Sequence, residues 1–258
     1  MPSDALVRRF RAARRDRELA VLEGFHALKH ALRFGAEVRE AVACEPERLE
    51  RLAAELAPDL AGSLRERVVS VSAETLAGMV PQAPRTGVVA LATRPPVDVA
   101  AALAEERQAP VVLLEDPRTM GNMGACVRVA AAADAAAVLT TGSNDPWHPE
   151  ALRGAAGLHF ALPVAALAEP PRGERPLVAI DPGGESADPR KLSPRAILAF
   201  GSERYGLSDE LLERADARLA IPMREGVSSL NLATAVAAVL FTGRGTAKNA
   251  DARGRDSA

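Results

Sequence analysis

The sequence predicts an α/β protein of two domains, and three observations lead there. Its 258 residues are more than one ordinary domain needs. Hydrophobic residues make up 48% and charged residues 26%, the balance of a packed core under a solvated surface. Short β-branched runs alternate with alanine-rich stretches of helical periodicity, and glycine-bearing loops follow several of the runs. The same composition excludes other classes. Aromatic residues are 3% of the chain, too few for a sheet that stacks bases on several exposed rings. Two cysteines, Cys44 and Cys126, make neither a disulfide framework nor a four-cysteine zinc site. The arginine-rich opening from Met1 to Arg17 lacks the apolar segment of a secretory signal. No stretch approaches the roughly 20 apolar residues that span a bilayer. The expectation is a cytoplasmic protein with no membrane partner and no bound metal.

Each element follows from local pattern. Helices are expected at Ala5–Arg15, Glu23–Phe34 and Glu47–Leu56, and strands at Val38–Ala43, Val68–Val71 and Val88–Thr93. Within the first helix Arg8, Arg11 and Arg15 share a face, in a segment that also holds Arg9, Arg14 and Arg17 against Asp4, Asp16 and Glu18. Such a face suits either plain solvation or the tracking of phosphates. Thr93-Arg94-Pro95-Pro96 breaks any regular element, because proline restricts itself and its predecessor. The domain boundary is placed there, giving domains of residues 1–95 and 96–244 and a polar tail of residues 245–258 expected to be flexible.

In the second half Val111–Leu114 reads as a strand, and Gly121-Asn122-Met123-Gly124 as a loop leading into a helix over Ala125–Ala133. Ala136–Thr140 completes a βαβ unit, whose ligand chemistry is expected at the strands' carboxyl ends. Further strands are expected at His159–Leu162, Leu177–Ile180, Ala196–Phe200 and Arg218–Ile221. The last helix is placed at Ser229–Phe241, with Ser228 or Ser229 as its N-cap and Leu232, Val236, Val239 and Leu240 as its apolar stripe.

Three loops share one property: glycine and small polar residues sit directly after an apolar strand. They are Gly121–Arg128, Phe200-Gly201-Ser202-Glu203-Arg204-Tyr205-Gly206-Leu207, and Ile221-Pro222-Met223-Arg224-Glu225-Gly226-Val227-Ser228-Ser229-Leu230-Asn231. Glycine lets backbone groups approach a ligand, yet each loop alone reads equally as a simple turn. In order and together they resemble the three signature motifs of the SpoU (TrmH-type) RNA 2′-O-ribose methyltransferases of the SPOUT superfamily. Asn122, Gly124 and Arg128 match the first motif; Gly201, Glu203, Gly206 and Leu207 the second; Ile221, Pro222, Met223, Gly226, Ser229, Leu230 and Asn231 the third. Asp145-Pro146-Trp147, Arg153, Gly157 and Leu162-Pro163-Val164 also resemble the family. Arg17–Gly24 and the helix after it are similar to the start of the small L30e-like substrate-binding domain found in, among others, thiostrepton-resistance-type rRNA methyltransferases.

The resemblance implies a fold and a chemistry. The fold would be a small L30e-like α/β domain followed by an α/β trefoil-knot methyltransferase domain, a rare exception to ordinary chain topology. The reaction would be methyl transfer from S-adenosyl-L-methionine to a ribose 2′-hydroxyl of RNA, with 23S rRNA as the expected substrate and tRNA as the alternative. Gly201, Ile221 and Leu230 would contact the cofactor. Arg128, Asn122, Glu203, Ser229 and Asn231 would form the catalytic group, in a homodimer whose pockets are completed across the interface. Family proposals make the arginine a general base, but a guanidinium stays protonated. A clamp on the RNA phosphate and on the developing alkoxide is the role its chemistry supports. Ala155 departs from a frequent family serine, which bears on RNA positioning. A catalytically silent RNA-binding protein of the same fold is a further alternative. A nucleotide-binding oxidoreductase is disfavoured, because Gly121–Gly124 lacks the GxGxxG spacing and the acidic residue about 20 positions on.

Overall fold

A computed structural model of the chain describes residues 2–186 and 188–244; the polar tail of residues 245–258 lies outside the described residues. Packing divides the chain into two units, one running through Pro96 and including Trp147–Ala161, the other comprising Val97–Pro146 and the chain from Leu162 onward.

The first unit begins with α1 (Pro2–Ala13), β1 (Leu19–Glu23), α2 (Phe25–Arg33), β2 (Val38–Ala43) and α3 (Pro46–Leu56). It continues through α4 (Ala61–Arg67), β3 (Val68–Ser70), α5 (Ala73–Met79) and β4 (Val88–Thr93). The sheet order is β1-β4-β2-β3, with β4 antiparallel to both β1 and β2 and β3 parallel to β2. β4 and β2 are the inner strands, and the β4 run Val88–Ala92 is buried throughout. One face of α1 presents Phe10 and Ala13 to Val21, Val42, Leu76, Met79 and Leu91. Burial of side chains this size contributes on the order of 1.5–3 kcal/mol each. Glu23 ends β1 with its side chain only 2% exposed. A carboxylate so buried needs compensating partners; Arg14 of α1 pairs with one oxygen and Arg153 with the other at 2.8 Å.

The second unit is built from α6 (Val99–Ala104), β5 (Val111–Leu114), α7 (Met120–Ala132) and β6 (Ala137–Thr140). After α8 (Pro149–Gly154), which belongs to the first unit, it resumes with β7 (Val164–Ala166), β8 (Leu177–Glu185) and β9 (Ile197–Phe200). It ends with α9 (Asp209–Arg214), β10 (Ala217–Leu219) and α10 (Leu232–Arg244). Six strands form an all-parallel sheet of order β10-β8-β9-β5-β6-β7. Helices cover such sheets on both faces, so their strands are continuously apolar; β5, β6 and β9 are buried at every position. From β5 the chain proceeds outward through β6 and β7 on one side, while β9, β8 and β10 lie on the other. The crevice at the carboxyl ends of β5 and β9 is therefore a topological switch point, where open α/β sheets bind ligands.

The α/β expectation is met, with local corrections. His159–Leu162 is not a strand; Leu158–Ala161 is a single 3₁₀ turn. Ala156 and Gly157 there take positive φ of 52° and 78°, and a Cβ on Gly157 would sit 2.5 Å from the Ala27 carbonyl oxygen. Close packing on α2 overrides the apolar pattern, and the nearby strand is β7 instead. Gly121-Asn122-Met123-Gly124 is not a loop but the first turns of α7, whose i→i−4 bonding begins with the Met123 amide donating to the Thr119 carbonyl at 3.0 Å. The last helix starts at Leu232, three residues later than expected. Its cap is Asn231, not Ser228 or Ser229: Asn231 Oδ1 accepts from the Ala233 and Thr234 amides at 3.0 and 3.4 Å. Leu232, Val236, Val239 and Leu240 are buried as the stripe requires. Short elements with little periodicity of their own, such as β1, α4, α6 and α9, were not singled out by pattern.

Candidate active site

The site grows from the carboxyl ends of β5, β8 and β9. After β9 the chain turns sharply: Ser202 and Gly206 exchange backbone hydrogen bonds of 3.0 and 3.0 Å, and the Ser202 hydroxyl accepts from the Tyr205 amide at 3.2 Å. A Cβ on Gly201 would overlap the Gly206 carbonyl carbon and the Leu207 nitrogen. Only glycine permits that closure. The turn is pinned to β5 by Glu115, which accepts from the Ser208 amide at 2.7 Å and the Ser208 hydroxyl at 2.6 Å.

A side-chain relay then joins the start of α7 to the other two segments. Glu203 accepts from Asn122 Nδ2 at 2.8 Å and from the Arg118 amide at 3.0 Å. Asn122 Oδ1 accepts from Asn231 Nδ2 at 3.1 Å, and Asn231 Oδ1 caps α10. Burial by itself would push the Glu203 carboxyl up, but hydrogen bonds from Asn122, Arg118 and Thr119 outweigh it and hold the group below its ordinary range. Glutamine at this position offers one acceptor where two donors converge. Glu203→Gln should therefore cost about 1 kcal/mol, the scale of a part-exposed hydrogen bond, seen as a melting temperature about 2–4 °C lower. Because the folded carboxyl is depressed, its contribution is complete above the unfolded value of about 4.3. The difference between the two proteins should stay flat from pH 8 to 5 and disappear only in more acid solution.

Asn122, Gly201, Glu203, Ile221, Ser229, Leu230 and Asn231 line one cavity of about 730 Å³, within the size range of small-molecule sites. Its walls combine Ile180, Phe200, Leu207, Ile221 and Leu230 with the amide and carboxylate groups of Asn122, Asn231, Asp181 and Glu203. Leu230 on this wall stays 39% exposed, apolar area left open beside hydrogen-bonding groups. That combination fits a nucleoside-bearing ligand, which needs a flat apolar wall and polar groups for its sugar.

Arg128 stands apart. It is exposed on α7 and is not among the residues lining the cavity. Ala155 is fully buried within the first unit, so a serine there would present its hydroxyl to protein and not to RNA. His30 is half-buried and its Nδ1 lies 2.7 Å from the Ala156 carbonyl oxygen; among the described residues no three His, Cys, Asp or Glu side chains could hold a metal ion. Trp147 is buried, its ring centroid 5.0 Å from that of His159 and 5.2 Å from that of Phe160, an internal anchor. Cys126 is enclosed in α7 and burial, with the Glu203 charge, raises its thiol to about 12, leaving it unreactive. No helix among the described residues is long and apolar enough to cross a membrane.

Sequence reasoning missed one wall. Ile180, Asp181 and Pro182, where β8 leaves its pairing with β10, line the same cavity, and the signal was present: Asp181-Pro182-Gly183-Gly184 directly follows an apolar run.

Comparison with known proteins agrees with this geometry. The sequence model of the SpoU rRNA methylase family matches residues 109–241. An uncharacterized tRNA/rRNA methyltransferase of Synechocystis sp. is 31% identical over 242 residues, covering 87% of this chain and 83% of that protein. The 23S rRNA (guanosine(2553)-2′-O)-methyltransferase of Bacillus subtilis is 31% identical over 143 residues, 52% of this chain and 58% of that one. Among solved structures, an AdoMet-bound rRNA methyltransferase from Sinorhizobium meliloti superimposes with a TM-score of 0.72 at 25% identity, covering 94% of this chain and 95% of that one.

Proposed function

The chain belongs to the SpoU rRNA methylase family of S-adenosylmethionine-dependent RNA ribose methyltransferases, and from that premise we propose that it methylates a ribose 2′-hydroxyl of 23S rRNA, in the cytoplasm, as a homodimer. One observation carries the reading: the relay Arg118–Glu203–Asn122–Asn231 fastens three loops around a cavity sized for the cofactor.

When bound, S-adenosylmethionine supplies a methyl group on a positively charged sulfur, an electrophile already activated. The protein's task is alignment. Gly201, Ile221 and Leu230 hold the cofactor through backbone groups and an apolar wall. Asn122, Ser229 and Asn231 orient the ribose, and Glu203 keeps Asn122 in register. Arg128 grips the RNA phosphate and stabilises the negative charge that develops on the 2′-oxygen as it attacks the methyl group, the thioether leaving and the hydroxyl proton passing to solvent water. Because Arg128 is outside the cavity of its own subunit, a second copy is the natural donor of that guanidinium. This supports the homodimer.

Residues 1–95 are proposed as the RNA-binding, L30e-like domain. In support, a groove of about 560 Å³ is lined by Arg11, Arg14 and Arg15, of which Arg14 also pairs with Glu23 and Arg11 and Arg15 are exposed. Arg11 is oriented by donating Nε to the Gly78 carbonyl at 2.6 Å. Arginines placed this way contact phosphates without reading sequence.

The test is a map of 2′-O-methyl sites in RNA from cells with and without the gene, followed by transfer of labelled methyl groups to the unmodified RNA by purified protein. The expected outcome is one 23S rRNA position that loses its mark in the deletion and regains it in vitro. A tRNA position behaving that way would replace the substrate; transfer to no RNA would remove the catalytic reading.

A further inference from the structure

The excursion after β8 has an architecture that the three loops do not explain. β10 pairs in parallel with β8 as Ala217↔Val178 and Arg218↔Ala179, and the next pair is Leu219↔Glu185. Residues 180–184 therefore leave the β10 ladder, while Ile180 remains paired with Phe200 of β9. Gly184 allows the return: a Cβ there would lie 2.7 Å from the Arg218 carbonyl carbon and 2.8 Å from the Leu219 nitrogen. Asp181 is held at the apex. Its Oδ1 accepts from Arg218 Nη2 at 2.6 Å and from the Gly183 amide at 2.9 Å, and its side chain is 17% exposed. A Cβ on Gly183 would come within 3.0 Å of that oxygen and 3.1 Å of the guanidinium, so glycine is what leaves room for the brace.

Both bonds engage Oδ1, and Oδ2 has no hydrogen bond within the protein among the described residues. Asp181 and Glu203 are the two carboxylates lining the cavity. Both oxygens of Glu203 are occupied, by Asn122 and Arg118. The cavity thus holds one fixed carboxylate oxygen that accepts nothing from the protein. It immediately follows Ile180, which with Phe200 forms apolar wall at the strand ends. In a nucleoside the sugar hydroxyls lie next to the base, so an acceptor adjacent to the apolar wall meets the ribose. Carboxylates beyond parallel strands bind ribose hydroxyls in other α/β nucleotide sites for the same reason.

We propose that Asp181, braced by Arg218 and Gly183, accepts hydrogen bonds through Oδ2 from the ribose diol of the bound cofactor and so selects for an intact adenosine sugar. This rests on the S-adenosylmethionine reading of the cavity. The role is recognition, and Asp181 takes no part in methyl transfer.

Equilibrium binding to the full-length protein tests it, with S-adenosylhomocysteine and 5′-methylthioadenosine as probes; the second keeps the sugar and lacks the amino-acid end. Asp181→Asn should weaken both by about 10-fold or more, the range of a hydrogen bond to a charged group. Arg218→Gln, which removes the brace and keeps the carboxylate, should change either by only a few-fold. Unchanged binding of both probes to Asp181→Asn overturns the proposal. A loss confined to S-adenosylhomocysteine overturns it too, by assigning the carboxylate to the cofactor's ammonium group. An equal loss in Arg218→Gln reduces Asp181 to an anchor for β10. Failure of the unaltered protein to bind S-adenosylhomocysteine is a different result, since it removes the cofactor reading itself.

Discussion

Gly201→Ala is expected to eliminate cofactor binding, weakening it at least 100-fold, and to lower the melting temperature by roughly 10 °C. An added methyl group has nowhere to go: its position is already filled by the Gly206 carbonyl carbon and the Leu207 nitrogen. These are backbone atoms, which cannot rotate aside as a side-chain tip would. The paired Ser202 and Gly206 groups must separate, at an overpacking cost of about 3 kcal/mol or more, which in a chain of this size gives a shift of that order. Opening the turn also displaces Glu203 from Asn122, so the damage reaches all three loops at once. Calorimetric titration with S-adenosylhomocysteine and a thermal melt are the measurements. An alanine variant with unaltered affinity and melting temperature would mean that the turn has another conformation.

Arg128→Ala should behave in the opposite manner. Methylation is expected to fall by about 10³-fold, the order associated with removing a group that stabilises developing negative charge, while cofactor affinity stays within about twofold. The melting temperature should not move, because exposed side chains without buried partners contribute little to stability. Mixing provides a sharper check. If the guanidinium serves the cavity of the other subunit, combining Arg128→Ala with Gly201→Ala chains restores activity: the heterodimer has one cavity with an intact Gly201 facing an intact Arg128. If the arginine serves its own subunit, both cavities of that heterodimer are defective and the mixture stays silent. Lost cofactor affinity in Arg128→Ala would contradict the assignment outright.

How much was legible in the sequence depended on where the information resides. Val88–Thr93 and Val111–Leu114 are legible to the residue, since buried strands carry their signal in consecutive side chains; Val38–Ala43, buried only in its second half, has the same bounds in sequence and structure. Residues around His159 read as extended in the sequence because the decisive contact, Gly157 against the backbone of Ala27, is distant along the chain. Two glycines argue locally for a loop at the start of α7, whereas Met123 and Gly124 are buried there, a packing that only the folded chain supplies. The family resemblance picked out Asn122, Glu203 and Asn231 one by one. It did not reveal that they bond to each other, and it passed over Asp181, whose importance lies in pairing irregularities between β8 and β10. Ser228 and Ser229 lost the capping role to Asn231 for a similar reason: its amide can satisfy α10 with one atom and Asn122 with the other.

That double engagement of Asn231 has a consequence during synthesis. Residues are made in order, and Ile221, Leu230 and Asn231 come after Asn122 and Glu203. A growing chain that already contains Asn122 and Glu203 still has an acceptor on Asn122 with no donor and a cavity missing a side. A chain that stops before Asn231 therefore lacks one side of the cavity, and closure of the site waits for α10 to form.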